Sequence, residues 1–329
     1  MPEQVRLRHS WTNPGRWIQF LCDELSETCT QLGKRPTKAE RTKPSGRSSW
    51  VERTALIGIT ACLTWALPQF PLIAQDSSVS ADSVKLITLG QLASGDVQLV
   101  DLTHALNEKS PFWPGDDYQP FQLRTIATIE KNGVSSKAFS MPEHFGTHID
   151  APCHFENGQI TVAEIAEKDL FAPGVVVDIT TIAEADADYR LNVVDLANWE
   201  LDHGRIPDRA IVLLKTGWNR FWDSNVRYRN QDAQGKIHFP GYSADAARWL
   251  IKERNVRGIG IDTLSIDYGP SKDFIVHHVI NSAGRYGLEN VDQLDKLPAR
   301  NFFLIVAPIK ITSGTGGPTR LLAVVPNAK

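Results

Sequence analysis

Apolar residues recur along this chain in two rhythms. Alternating or continuous β-branched runs predict strands over residues 97–102, 121–129, 174–179, 210–216, 258–262, 302–307 and 321–325. Helical spacing predicts short helices over 84–94, introduced by Ser80-Ala81-Asp82, and over 193–199. A third helix opens at 243–250, with Ser243 as its cap. Strands and helices alternate loosely from residue 76 to 329, which favours one mixed α/β domain without internal repeats. Between the first two strands lies Ser110-Pro111-Phe112-Trp113-Pro114-Gly115-Asp116. Two prolines stiffen this aromatic loop and Gly115 permits a turn.

The rhythm fails before residue 76. Residues 1–52 are basic and polar with weak periodicity, and 34–49 read as disordered. They form either a flexible leader or a stretch preceding a translation start near Val51. Residues 53–75 begin with Arg53, continue through an apolar run and end at Ala74-Gln75, the layout of a secretory signal peptide. Pro68, Gln69 and Pro71 make a poor transmembrane helix. The segment predicts an exported protein, periplasmic or extracellular. A membrane anchor is the alternative, and Ile59-Thr60-Ala61-Cys62 resembles a lipoprotein box whose apolar run continues too far.

Composition adds little except by where charge sits. The net charge is -3, of which residues 1–53 contribute +4, leaving -7 for the body. An acidic body excludes a nucleic-acid partner. Of the four cysteines only Cys153 lies in the body, so no disulfide framework is available there.

Candidate chemistry is concentrated in one stretch: His144, His148, Asp150 and His154 fall within eleven positions. A lone histidine is usually a hydrogen-bonded core or surface residue; four ligand-type residues so close are not. His148 and Asp150 are two apart and share one side of an extended segment. A turn at Gly146-Thr147 brings His144 beside them, and Pro152 restricts the chain before His154, just outside. Imidazole and carboxylate together suit Zn²⁺ or Mn²⁺. A second segment offers His277, beside His278, and Glu289 twelve residues on. Together the five ligands suffice for two ions sharing a carboxylate. Cys153 is a poor nucleophile candidate, because neighbours in an extended chain point apart. Asp116, Asp117, Asp262 and Asp267 read as structural or turn carboxylates.

His144-Phe-Gly-Thr-His148-Ile-Asp150-Ala-Pro-Cys-His154-Phe155 resembles the His-x-Gly-Thr-His-x-Asp-x-Pro-x-His signature of the metal-dependent cyclase family, which includes bacterial kynurenine formamidases and isatin hydrolases. Asp101-Leu102-Thr103 with the aromatic loop, Leu214-Lys215-Thr216-Gly217-Trp218 and Gly260-Ile261-Asp262-Thr263 extend the resemblance over roughly residues 97–325. It implies a three-layer β/β/α, swivelling-type domain with mixed sheets. It implies that His144, His148 and Asp150 bind metal, with Asp150 a candidate bridge. His277 and Glu289 then bind a second ion, His154 is the acid/base, and Phe112 and Trp113 stack on an aromatic substrate. The implied activity is cleavage of the C–N bond of an aryl formamide such as N-formylkynurenine by metal-bound hydroxide, with Thr147 or amides near Gly146 supporting the oxyanion. The alternatives are hydrolysis of a cyclic amide, lactone or carbamate, and an inactive exported metal-binding protein. The family also implies a homodimer or higher homo-oligomer, with 218–222 compatible with an interface. Ile280-Asn281-Ser282-Ala283 replaces a more apolar family segment, and the export leader is unusual for a tryptophan-degrading enzyme; both bear on the substrate.

Overall fold

The computed structural model describes residues 88–327. The leader, the signal-like segment and the first residues of the helix expected over 84–94 lie outside the described residues. That helix begins at Leu89, because Thr88 is extended and caps it. The Thr88 hydroxyl accepts the Gln91 N–H at 3.2 Å, and the Gln91 side chain accepts the Thr88 N–H at 2.9 Å.

In chain order the elements are α1 (Leu89–Ser94), β1 (Val97–Asp101), β2 (Gln122–Ala127), α2 (Ile129–Asn132), β3 (Ser136–Ser140) and β4 (His148–Asp150). Then come β5 (Phe171–Asp178), α3 (Thr180–Ala185), β6 (Arg190–Leu191), α4 (Val193–His203), β7 (Ile211–Lys215), α5 (Asn225–Arg229) and β8 (Gly241–Tyr242). The chain continues through α6 (Ala244–Arg254), β9 (Gly258–Ile261), α7 (Ile275–Ser282), β10 (Tyr286–Glu289), β11 (Phe302–Pro308) and β12 (Gly316–Pro326). The strand expected over 121–129 stops at Ala127, where the chain makes one helical turn closed by Gly133 at φ 72.

Eight strands form one mixed sheet in the order β1-β12-β11-β5-β7-β9-β10-β4. The contiguous β5, β7, β9 and β10 are parallel to one another; the remaining pairs are antiparallel. The first turn of β12 also pairs with β4, so the sheet closes on itself as a barrel. The hairpin of β2 and β3 stands apart as its own two-stranded sheet.

Alternation along the parallel strands divides the core in two. Val175, Val177, Val212, Leu214, Ile259 and Ile261 pack with Leu196 and Trp199 of α4, Ala246 and Leu250 of α6, and Val276 and Ile280 of α7. Val176, Ile211, Leu213 and Leu288 instead join Ile149, Leu304 and Leu321 inside the barrel. Both faces are covered, which is why these strands read as unbroken apolar runs. Each fully buried aliphatic side chain contributes about 1.5–3 kcal/mol. Asp262, at the end of β9, accepts hydrogen bonds from the Thr216 N–H and hydroxyl and from the Gly217 and Trp218 N–H groups. It thereby ties the ends of β7 and β9 together, the structural role expected of it. Among the described residues no helix is long and apolar enough to cross a membrane.

Candidate metal centre and substrate pocket

The loop before β4 is built to present three side chains. Gly146 sits at φ 65, and a Cβ there would lie 2.3 Å from the Leu106 side chain. The loop is pinned twice to Asn290: the Thr147 hydroxyl donates to its carbonyl at 2.6 Å, and its side-chain amide donates to the Gly146 carbonyl at 2.9 Å. β4 then pairs with β10 so that His148 lies opposite Glu289 and Asp150 opposite Gly287. Directly opposed residues on antiparallel strands share a face, which brings a carboxylate from β10 beside an imidazole from β4. A Cβ at residue 287 would stand 3.0 Å from Asp150 Oδ2.

The other four expected ligands gather around Asp150. His144 Nδ1 is 2.6 Å and His148 Nε2 3.2 Å from Asp150 Oδ1. His277 Nε2, delivered by α7, is 3.6 Å from Asp150 Oδ2 and 3.2 Å from Glu289 Oε1. His148 Nε2 is 3.4 Å from Glu289 Oε2. The fold thus places the late pair on Asp150 itself.

The electrostatics fit a cation. Asp150 Oδ2 and His148 Nε2 are buried without a hydrogen-bond partner, an arrangement that costs free energy unless something positively charged is shared between them. Two sets of ligand atoms, His144/Asp150/His154 and His148/Asp150/Glu289, each lie within 4.8 Å of one another, with Asp150 common to both. The donors suit Zn²⁺ or Mn²⁺ held by nitrogen and oxygen. Without an ion, burial disfavours charge on His148, but Asp150 and Glu289 outweigh it and push it up to about 10. His277 is likewise raised, against burial, by the neighbouring carboxylates of Asp150, Asp267 and Glu289. Burial would raise Asp150 and Glu289; for both, the site's histidines prevail and hold the carboxyl below its ordinary range.

His154 does not stand off from this cluster. Residues 152–154 form a 3-10 turn rather than an extended strand, and the turn lays the His154 ring on His144 at 3.8 Å between centroids. Burial, reinforced by the His144 and His277 charges, pushes His154 down to about 4. Cys153 lies against the barrel core with Sγ 3.8 Å from the Gly314 carbonyl. Thr147 is not free to support an oxyanion: its hydroxyl is spent on Asn290 and on accepting the His104 N–H.

A cavity of about 250 Å³ opens over the cluster. Phe112 and Trp113 line it, together with Tyr118, Phe155 and Phe274. Arg229 braces Phe112, donating to its carbonyl at 2.8 Å with the guanidinium 4.4 Å above the ring. Phe274 adopts φ 45, a strained conformation for a bulky residue, and sits 5.8 Å from Trp113 and 5.4 Å from Phe155 between centroids. Sequence reasoning missed Tyr118, Phe155 and Phe274; only Phe155, adjoining His154, carried a signal. His278, beside His277, turns out of the cluster to Glu156 at 2.8 Å.

The profile of the Cyclase family matches residues 100–268. The chain belongs to the Cyclase family. The isatin hydrolase of Roseibium aggregatum is 32% identical over 253 residues, covering 72% of this chain and 95% of that protein. The kynurenine formamidase of Bacillus mycoides is 28% identical over 229 residues, covering 68% and 95%. Among solved structures, isatin hydrolase A from Labrenzia aggregata bound to benzyl benzoate aligns with a TM-score of 0.69 at 37% identity, covering 72% of this chain and 97% of that one. A structure described as a potential metal-dependent hydrolase with cyclase activity aligns with a TM-score of 0.54 at 27% identity, covering 70% and 100%. The family profile takes in the β4 cluster and stops before His277 and Glu289.

Proposed function

We propose that this chain is a metal-dependent hydrolase of an amide C–N bond carried on an aromatic ring, an aryl formamide such as N-formylkynurenine. The observation that carries the reading is the convergence of His144, His148, His277 and Glu289 on a half-unpaired Asp150 at the floor of an aromatic slot. One or two Zn²⁺ or Mn²⁺ ions held there would supply Lewis-acid polarisation of the carbonyl and make a water acidic near neutral pH. Phe112 and Trp113 stack on the substrate ring, while Phe155 and Phe274 close the slot against bulk water. His154, neutral at neutral pH, accepts the proton of the attacking water and returns it to the leaving nitrogen.

A second reading, opening of a cyclic aryl amide such as isatin, is supported by the greater identity to isatin hydrolases, 32% against 28% for the formamidase. Both readings break an aryl amide bond and differ in the pocket wall. The three-layer reading takes the two walls of the closed sheet as its β layers and α4, α6 and α7 as its helical layer. The exported location rests on residues 53–75 alone and is read out by N-terminal sequencing of the secreted protein.

The test is a substrate panel of N-formylkynurenine, isatin, an aryl lactone and an aryl carbamate. Each is assayed with protein as purified, stripped by chelator, and resupplied with Zn²⁺ or Mn²⁺. Turnover of an aryl amide that chelation removes and either ion restores is expected. Turnover indifferent to chelation, or confined to the lactone and carbamate, would overturn the proposal.

A further inference from the structure

The Ser313-Gly314-Thr315-Gly316-Gly317 segment enters β12 beside the metal cluster, and no step above uses it. Its backbone lies so close to His144 that a Cβ at residue 316 would be 2.5 Å from His144 Cε1. Thr315, between two glycines, has its carbonyl accepting the Ala151 N–H at 2.9 Å. Its hydroxyl lies 2.7 Å from Glu143 Oε2 and 2.9 Å from His144 Nε2, and its N–H donates to the same Glu143 oxygen at 3.0 Å.

The Thr315 contacts fix where one ring proton of His144 lies. An ionised carboxylate only accepts, so the single hydroxyl proton of Thr315 goes to Glu143. The hydroxyl oxygen can then only accept from His144, which places a ring proton on Nε2 and leaves Nδ1 as the nitrogen open to an ion that displaces the proton shared with Asp150. Nδ1 is the nitrogen that faces Asp150 Oδ1. The other two histidines are set the opposite way. His148 Nδ1–H donates to the Gly146 carbonyl at 2.8 Å, and His277 Nδ1–H to Asp267 Oδ2 at 2.7 Å, so each presents Nε2.

We propose that Thr315 and Glu143 are positioning residues that hold His144 in its Nε2–H tautomer, so that His144 offers an ion Nδ1 while His148 and His277 offer Nε2. The proposal rests on the metal-dependent reading above. Partners of this kind typically govern ion affinity by about 10–100-fold, because they fix both the tautomer and the ring orientation of the ligand. Remove the hydroxyl and nothing holds the proton on Nε2. Remove Glu143 and the Thr315 hydroxyl is free to donate to Nε2, which favours the wrong tautomer.

The test measures Zn²⁺ affinity of the full chain by competition with a chromogenic chelator, for wild type, Thr315→Val, Thr315→Ser and Glu143→Ala. Thr315→Val and Glu143→Ala are expected to weaken binding by about 10–100-fold, and Thr315→Ser to restore it. Glu143→Ala leaves the glycine-flanked backbone untouched, so it reads the relay even if Thr315→Val folds poorly. Side-chain ¹⁵N NMR of the Zn²⁺-loaded wild type should show His144 bound through Nδ1, a signal lost in Thr315→Val and kept in Thr315→Ser. Wild-type affinity in both Thr315→Val and Glu143→Ala, or coordination of His144 through Nε2, would overturn the relay. A wild-type chain that binds no Zn²⁺ would overturn the metal-dependent reading itself, and the relay with it.

Discussion

Asp150 offers two oxygens to a ring of three imidazoles and a carboxylate, and their protonation follows from that crowding. In the ion-free protein His148 is raised to about 10 from an ordinary 6.5, and His277 moves the same way. A raised imidazole stabilises the fold in its protonated form. That stabilisation is complete below about 6.5 and is lost as the pH climbs through about 10. An ion competes with those protons, so Mn²⁺ affinity should rise with pH across this window. Calorimetry at pH 7 in two buffers of different ionisation enthalpy should register proton release on binding. Identical heats after allowing for the ion alone would count against this picture. His154 differs in kind: burial pushes it down to about 4, whereas His148 and His277 are raised. His154→Ala should lower kcat by about 10²–10⁴ while bound metal stays at the wild-type level. Metal loss in this variant would reassign His154 as a ligand, a role its place beside His144 and Asp150 also permits. Histidine and aspartate identities at 144, 148, 150 and 154 were legible because the motif is local. Which nitrogen an ion would meet was not, because Thr315 lies 171 residues from His144 and Asp267 reaches His277 only through the course of the loop before α7.

At the scale of elements, α7 shows why part of the site escaped sequence reasoning. It is eight residues long, lacks a Ser or Thr cap, and is entered through Phe274 in a left-handed conformation. Its cap comes from upstream: the Asp267 carboxylate accepts the Val276 N–H at 3.0 Å and the His277 N–H at 3.1 Å, and also holds the His277 ring. Reading Asp267 as a turn carboxylate was right about its structural duty and silent about the ligand it orients. Asp267→Ala should therefore cost about 1–3 kcal/mol, since it unpairs buried donors. It should also weaken ion binding by about 10–100-fold. Thermal unfolding of stripped protein and a chelator competition measure the two losses separately. Unchanged metal affinity would confine Asp267 to capping. The parallel strands were legible for the opposite reason: buried on both faces, they carry long β-branched runs that no surface stretch imitates.

At the scale of the whole molecule, five of the fifteen exposed large apolar side chains among the described residues gather on the β2–β3 hairpin. Ile126 is 58% exposed and Phe139 59%, with Ile129 and Val134 at the turn exposed to a similar degree. Two strands alone are marginal in water, and a clustered apolar surface marks a contact with another chain. The aromatic run at 218–222 is a weaker interface candidate than its composition implied. Trp218 is buried with Nε1 donating to the Tyr228 carbonyl, and Trp222 stacks on His104 at 3.8 Å. Sedimentation of the full chain should show a homodimer or larger assembly. Ile126→Glu with Phe139→Glu should shift it toward monomer without loss of secondary structure. A monomeric wild type would contradict the expectation.

Local patterning by itself determined the candidate ligand types, the turn-then-strand that presents them, the acidic body and the mixed α/β class. Each depends only on residues a few positions apart, through side-chain period, turn chemistry and charge. Closure of β12 on β4, the opposition of Glu289 to His148, the curl that lays His154 on His144, and the Thr315 and Asp267 contacts were decided by tertiary structure alone. Apart from the contact of Asp267 with His277, ten residues on, they are pairings between segments more than a hundred residues apart, or backbone turns with no residue signature. The free energy that selects them is the burial and hydrogen-bond pairing of the assembled barrel.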